Sequence, residues 1–151
     1  MTEGQFHAYL GFAVANYAQE SIRAGNVAPD RALYAAEGQF QSLLPDGLDT
    51  PGQYLFSIQD TTRGKSVGYL WFGIRDDGTR PFVASYDILI FEAYRRQGYG
   101  AQALHALEKQ AVEKGFDEIR LHVFGHNHAA RALYEKLGYV ATNVTMARRL
   151  K

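Results

Sequence analysis

The run Tyr94-Arg95-Arg96-Gln97-Gly98-Tyr99-Gly100-Ala101-Gln102-Ala103 has the residue types of a phosphate cradle. Gly98 and Gly100 let the main chain turn with its N–H groups pointing inward, and a helix starting there adds its positive dipole end and its unpaired N–H groups. Arg95 and Arg96 set full charges beside that turn. A glycine-containing turn flanked by solvated arginines has the same spelling, so a second signal is needed. Asp87 invites chemistry for another reason: it interrupts the apolar run from Tyr86 to Phe91, which costs energy unless the carboxyl is paired or functional. His122, His126 and His128 suggest a metal, yet alternation puts His122 on the strand face opposite Leu121 and Val123, and no carboxylate stands at ligand spacing. They read as a solvated cluster, with no metal.

These residues have to be held by regular elements, and hydrophobic periodicity supplies them. Phe6, Tyr9, Leu10, Ala13, Val14 and Tyr17 recur at helical spacing, which predicts a helix over about Gly4 to Ala24, stopped at Gly25-Asn26. A shorter helix follows Pro29, with Leu33, Ala36 and Phe40 on one face and Pro45-Asp46-Gly47 at its end. From Gln53 the period switches to two. Tyr54 to Ile58, Val67 to Phe72 and Phe82 to Phe91 read as an antiparallel meander turned at Thr61 to Lys65 and at Asp76-Asp77-Gly78. The helix after Gly98 carries Leu104, Leu107 and Ala111 on one face and ends at Gly115. Ile119 to Phe124 is the next strand, a parallel neighbour of the strand before that helix. A last helix turns Ala130, Leu133, Tyr134 and Leu137 inward before Gly138, and Tyr139 to Leu150 is expected to form one or two final strands.

Composition narrows the functions available. The 151 residues suit one domain, residues 1–151, with a single core. There is no cysteine, which removes disulfides, thiolate metal sites and a cysteine nucleophile and is compatible with a reducing cytoplasm. The formal net charge is zero, with dense basic spots only at Arg95-Arg96 and Arg148-Arg149-Lys151, so no nucleic-acid partner is expected. No apolar run approaches the ~20 residues a membrane span needs, and no leader pattern opens the chain, so a cytoplasmic protein without membrane contact is expected.

Some spellings mislead. Gly98-x-Gly100-x-x-Ala103 fits the dinucleotide fingerprint, with Glu118 about the expected ~20 residues on, but Glu118 precedes its strand instead of ending it, and only one strand-helix-strand crossover follows. Gly64-Lys65-Ser66-Val67-Gly68 has the spelling of a nucleophile elbow, and its Gly-Lys-Ser that of a P-loop. Both need a helix next, and here a strand follows.

The second signal is Asn127-x-x-Ala130-x-x-Leu133-Tyr134-Glu135-Lys136-Leu137-Gly138-Tyr139, directly after the Ile119 to Phe124 strand. Together with Ile88-x-Ile90-x-x-x-Tyr94-Arg95-Arg96-x-Gly98-x-Gly100, it resembles the GNAT superfamily of acyl-CoA-dependent N-acyltransferases. The resemblance is close over Phe82 to Leu150 and follows the order of elements before that. It implies a mixed α+β fold: a mostly antiparallel central sheet, splayed at a parallel strand pair and flanked by helices. It also implies acetyl-CoA as cosubstrate, an amine acceptor, and is compatible with a homodimer. CoA would lie along Ile88, Leu89 and Ile90, with its pyrophosphate on the backbone of Arg96, Gln97, Gly98, Tyr99, Gly100 and Ala101 beside the charge of Arg95, and its arm near Asn127, Ala130 and Tyr134. Asn127 also suits an N-cap, and both roles are compatible. The backbone N–H of Ile88 would meet the developing oxyanion, and Tyr134 would serve the leaving thiolate.

Amine attack on a thioester needs an uncharged amine, and presenting an alkyl amine of pKa ~10.4 in neutral form at pH 7 costs about 4.6 kcal/mol. A base or water chain is therefore expected. Asp87 is the first candidate, and a structural bond to a neighbouring strand or side chain suits it equally. Glu92 and His122 are lesser candidates. The absence of cysteine favours direct transfer in a ternary complex over a thiol-linked acyl-enzyme. With the base unsettled, a non-catalytic acyl-CoA sensor stays open beside the enzyme. One departure concerns the start: the family usually opens with a strand, and here only Met1-Thr2-Glu3 precede the first helix.

Overall fold

Thr2 starts the first helix, α1 (Glu3–Arg23), as a capping box in which its hydroxyl accepts from the Gln5 N–H while the Gln5 side chain accepts from the Thr2 N–H. All 151 residues are described by the computed structural model. Phe6, Tyr9 and Ala13 form the buried stripe of α1, as their spacing requires. The second helix, α2 (Ala32–Leu43), packs on α1 through Ala18, Ala32 and Ala36, small residues that let the two backbones approach. Leu33, expected on that inner face, is exposed instead, because the close contact takes the alanine beside it.

Three strands follow as a meander: β1 (Gln53–Asp60), β2 (Lys65–Asp76) and β3 (Pro81–Ile90). A helix, α3 (Tyr99–Glu113), then crosses to β4 (Ile119–Leu121), which pairs with β3 in parallel, and α4 (His128–Lys136) is the last regular element. The sheet order is β1-β2-β3-β4, antiparallel except for the final pair, which is the mixed architecture expected. Side-chain alternation along β2 divides the core. Trp71 packs with Phe6, Tyr9 and Ala13 under α1, while Leu70 and Phe72 pack with Val83, Leu107 and Ala111 under α3.

Two irregularities in this sheet create the site. Between β2 and β3 the register slips: Trp71 opposes Asp87, whereas Phe72 opposes Ser85, so Tyr86 is an extra residue on β3. Such a bulge bends its strand and re-aims its side chains. Tyr86 and Asp87, neighbours in sequence, accordingly both turn toward α1 and α2: Tyr86 stacks on Trp71 and Asp87 meets Tyr9. Ile88 goes to the opposite face, against the α3 cluster. The second irregularity is the brevity of β4. Its pairing with β3 runs only from Val83↔Ile119 to Ser85↔Leu121, so from Tyr86 to Ile90 the strand keeps β2 as its one neighbour and its other edge is open.

The expected strand Ile119 to Phe124 is thus cut to three residues, because the bulge and the parting of the strands remove the ladder its second half would need. The final strands expected from Tyr139 to Leu150 do not form. Val140, Val144, Met146 and Leu150 lie exposed: their alternation supplies strand propensity, but the tail joins no ladder. No helix is long and apolar enough to cross a membrane.

Candidate active site

The turn between β3 and α3 is built to present N–H groups. Arg96 has φ 62° and Gly98 φ 85°, both in the left-handed region, and this alternation curls the backbone into a concave nest. The first amide after the turn to find a backbone partner is that of Gln102, which donates to the Gly98 carbonyl. Every backbone N–H from Arg96 to Ala101 donates to no protein acceptor. Gly100 keeps this helix start close to its surroundings, since a Cβ there would stand 3.3 Å from Leu133 Cδ2 and 4.0 Å from Ile90 Cγ1. The Arg95 Nε donates to the Ile90 carbonyl at 3.0 Å, leaving the rest of its guanidinium outward, and the Gln97 amide donates to the Ala93 carbonyl at 3.3 Å.

A residue that periodicity does not single out anchors the turn. The carboxyl of Asp60, at the end of β1, accepts from the Thr62 hydroxyl at 2.6 Å, the Thr62 N–H, the Arg63 N–H, and the Tyr99 hydroxyl at 2.5 Å. These bonds, Thr62's above all, hold the carboxyl well below the usual carboxylate range, and Asp60 in turn pushes the Tyr99 phenol up. The β1–β2 hairpin and the first residue of α3 are thereby tied together. An aspartate followed by Thr-Thr-Arg-Gly does announce a side-chain-capped turn, but not its partner on α3.

On the open strand edge, Asp87 is half-buried and its Oδ2 accepts from the Tyr9 hydroxyl at 2.8 Å. Burial raises the carboxyl's pKa, against the pull of the Tyr9 hydroxyl and then of the Ile88 N–H. Tyr9 is raised in its turn by burial and by the Asp87 charge, so the proton stays on the phenol. Tyr134 of α4 reaches the same region. Its pKa is pushed up to about 12, by burial first and by Asp87 second, and its hydroxyl has no protein hydrogen-bond partner. The structure therefore assembles Asp87, the Ile88 backbone and Tyr134 around one opening, and adds Tyr9, whose place in the α1 stripe marks it only as core.

Leu89 and Ile90 continue the open edge toward the nest. Across from Ile90 lies Gly68, where a Cβ would stand 2.0 Å from the Leu89 carbonyl oxygen, so only glycine fits. Asn127 caps α4, its side-chain oxygen accepting from the Ala130 N–H at 3.2 Å while its amide N–H groups stay available. The histidines divide. His122 and His128 are exposed, but His126 is not a solvated side chain: its Nε2 meets Glu20 of α1, and its ring stacks on Phe124 at 5.5 Å. Glu20, 106 residues away in sequence, supplies a partner that local spacing does not reveal. No cluster of histidine, aspartate and glutamate is placed to hold a metal ion. Glu118 is ion-paired with Arg80 at 2.7 Å and with Arg120, which disposes of the ribose-binding role its spacing suggests.

A nest of unengaged N–H groups at a helix start thus lies at the end of an open strand edge that carries a half-buried carboxyl. Residues 11–139 match the acetyltransferase (GNAT) family. The chain belongs to that family. It is 37% identical to the uncharacterized N-acetyltransferase YycN of Bacillus subtilis over 99% of this chain and 96% of that protein. It is 33% identical to a second uncharacterized N-acetyltransferase of that organism, YdgE, over 99% and 95%. The crystal structure of YycN superposes with a TM-score of 0.93 at 36% identity, covering 100% of this GNAT chain and 96% of that one.

Proposed function

We propose that this GNAT acetyltransferase transfers the acetyl group of acetyl-CoA to a primary amine by direct attack in a ternary complex. The observation that carries the proposal is the run of unengaged N–H groups from Arg96 to Ala101, set at the end of a strand edge that opens beside Asp87 and Tyr134. Amides at a helix start are what a pyrophosphate requires, each worth roughly 0.3 to 2 kcal/mol, and the open edge from Tyr86 to Ile90 offers amide pairing to the pantetheine arm as an added strand would. The Asn127 amide and the α4 start at Ala130 flank that arm. Acetyl-CoA supplies an activated acyl carbon: a nitrogen–carbon bond forms, the carbon–sulfur bond breaks, the sulfur leaves with the electron pair, and the second nitrogen proton, acidic once the bond to carbon has formed, passes through water to the thiolate or to solvent.

The chain's own residues manage the protons. Asp87 takes one proton from the acceptor ammonium, and its raised pKa makes it a better base than a solvated carboxylate while Tyr9 keeps it ionisable. The Ile88 N–H donates to the oxygen that gathers charge. Tyr134, at about 12, sits some ~5 kcal/mol uphill from giving its proton outright to a thiolate of conjugate pKa ~8.5, so it acts as a hydrogen-bond donor to the sulfur. Tyr134→Phe is expected to lower kcat about tenfold or more and to leave the acetyl-CoA Kd within about twofold, read by thiol release and calorimetry. Turnover equal to wild type would remove Tyr134 from the mechanism, and saturable acetyl-CoA binding with no turnover on any amine would make the protein a sensor.

A further inference from the structure

Five aromatic rings bridge the gap where the strands part. Tyr17 of α1 touches Phe40 of α2 at 6.1 Å and Phe124, beyond β4, at 6.0 Å between ring centres. Phe40 leans on Trp71 at 5.5 Å, and Trp71 stacks on Tyr86 at 4.6 Å. Tyr86 lies on β3 and Phe124 follows β4, so the arc spans both sides of the opening, with Asp87 next to Tyr86. Trp71 is buried, while Tyr17, Phe40, Tyr86 and Phe124 keep part of their surface in solvent. Half-buried aromatic faces bordering a half-buried carboxyl are a surface for a ligand with an apolar body and one basic nitrogen.

The charges around the arc point the same way. Glu20, the α1 carboxylate nearest Phe124, is already joined to His126, which stacks on that ring. Glu37 of α2 is exposed to water. Asp87 follows Tyr86 of the arc and has no cationic partner, its bond going to the Tyr9 hydroxyl. We infer that the acceptor is a monoamine with an aromatic or branched apolar body, its nitrogen at Asp87 and its body against Tyr17, Phe40, Tyr86 and Phe124. A polyamine or an aminoglycoside would bring further ammonium groups into contact with rings and leave them without a carboxylate, at a desolvation cost. This inference rests on the acetyl-transfer reading above.

The test measures CoA release at saturating acetyl-CoA with 2-phenylethylamine, spermidine and kanamycin. The expected kcat/KM for 2-phenylethylamine exceeds both others by about tenfold or more, and Phe124→Ala lowers it by about tenfold and narrows that margin over the polycations. Tyr17→Leu replaces that variant where it fails to fold. Trp71 is the only tryptophan, so its emission reports binding without turnover: a saturable change with 2-phenylethylamine and none with spermidine is expected. A higher kcat/KM for spermidine or kanamycin overturns the inference and leaves acetyl transfer standing. Bound acetyl-CoA with no CoA release from any amine overturns both.

Discussion

Tyr9→Phe tests Asp87 as the proposed base. The substitution keeps the buried ring and removes one hydroxyl, the donor that meets Asp87 Oδ2 at 2.8 Å. Hydrogen bonds to charged groups are worth about 1.5 to 3 kcal/mol, and 1.4 kcal/mol is a factor of ten in an equilibrium constant. The ionised form of Asp87 is the one that Tyr9 stabilises, and burial already disfavours it. Losing the bond raises the Asp87 pKa further, so at a given pH on the acid limb the ionised fraction falls about tenfold, or up to roughly a hundredfold where no water replaces the hydroxyl. On the alkaline plateau, where Asp87 is ionised in both proteins, turnover should agree within about twofold. The assay is CoA thiol release across a pH series at saturating acetyl-CoA. The variant's acid limb should lie at higher pH than that of the wild type. Coincident profiles would refute the assignment of Asp87 as the group whose ionisation starts the reaction, and a uniform loss at every pH would make Tyr9 a packing residue only.

Three further substitutions probe other parts of the arrangement. Asp87→Asn should abolish turnover at least about a hundredfold yet raise stability at neutral pH: the folded-state pKa lies above the unfolded ~3.9, so wild-type stability is complete below that value and declines as pH rises through the folded one, whereas the asparagine variant should show no such decline in Tm. Tyr99→Phe cuts the tie between the hairpin and the phosphate turn at Asp60, and KM for acetyl-CoA should rise on the order of tenfold with kcat unchanged; an unaltered KM would mean that the turn holds its shape without that bond. Gly68→Ala puts a Cβ 2.0 Å from the Leu89 carbonyl and should cost about 3 kcal/mol or more in denaturant unfolding, by forcing β2 from β3; wild-type stability would mean that the strands separate there without loss.

How much of this could be read from the sequence depended on how local each cause is. The nest was legible because Gly98, Gly100 and the helix behind them lie within one turn of chain, and the order of elements was legible because α1 and the three meander strands each carry their own period. Asp87 could be seen as an anomaly but not aimed. A strict period of two puts Tyr86 and Asp87 on opposite faces, and only the register against Trp71 and Phe72 shows that they share one. The same holds for Tyr9, which obeys the helical period and so carries no mark of its bond to Asp87. The bond of Asp60 to Tyr99 and the contact of Glu20 with His126 join segments 39 and 106 residues apart, distances over which side-chain spacing is silent.

The failures of the strand reading are the most informative. Val123 and Phe124 have the alternation of β4, yet pairing ends at Leu121, because a strand is defined by its neighbour and β3 has already turned away at its bulge. An extension of β4 to Phe124 in the same register would cover β3 from Tyr86 to Ile88 and close most of the edge proposed for the pantetheine arm. Local propensity toward a longer strand is thus overridden where the site needs an opening, and the bulge that overrides it is the same feature that turns Asp87 toward Tyr9. The irregularity between Trp71 and Phe72 therefore bears both on the open edge proposed for the donor and on the orientation of Asp87, the proposed base.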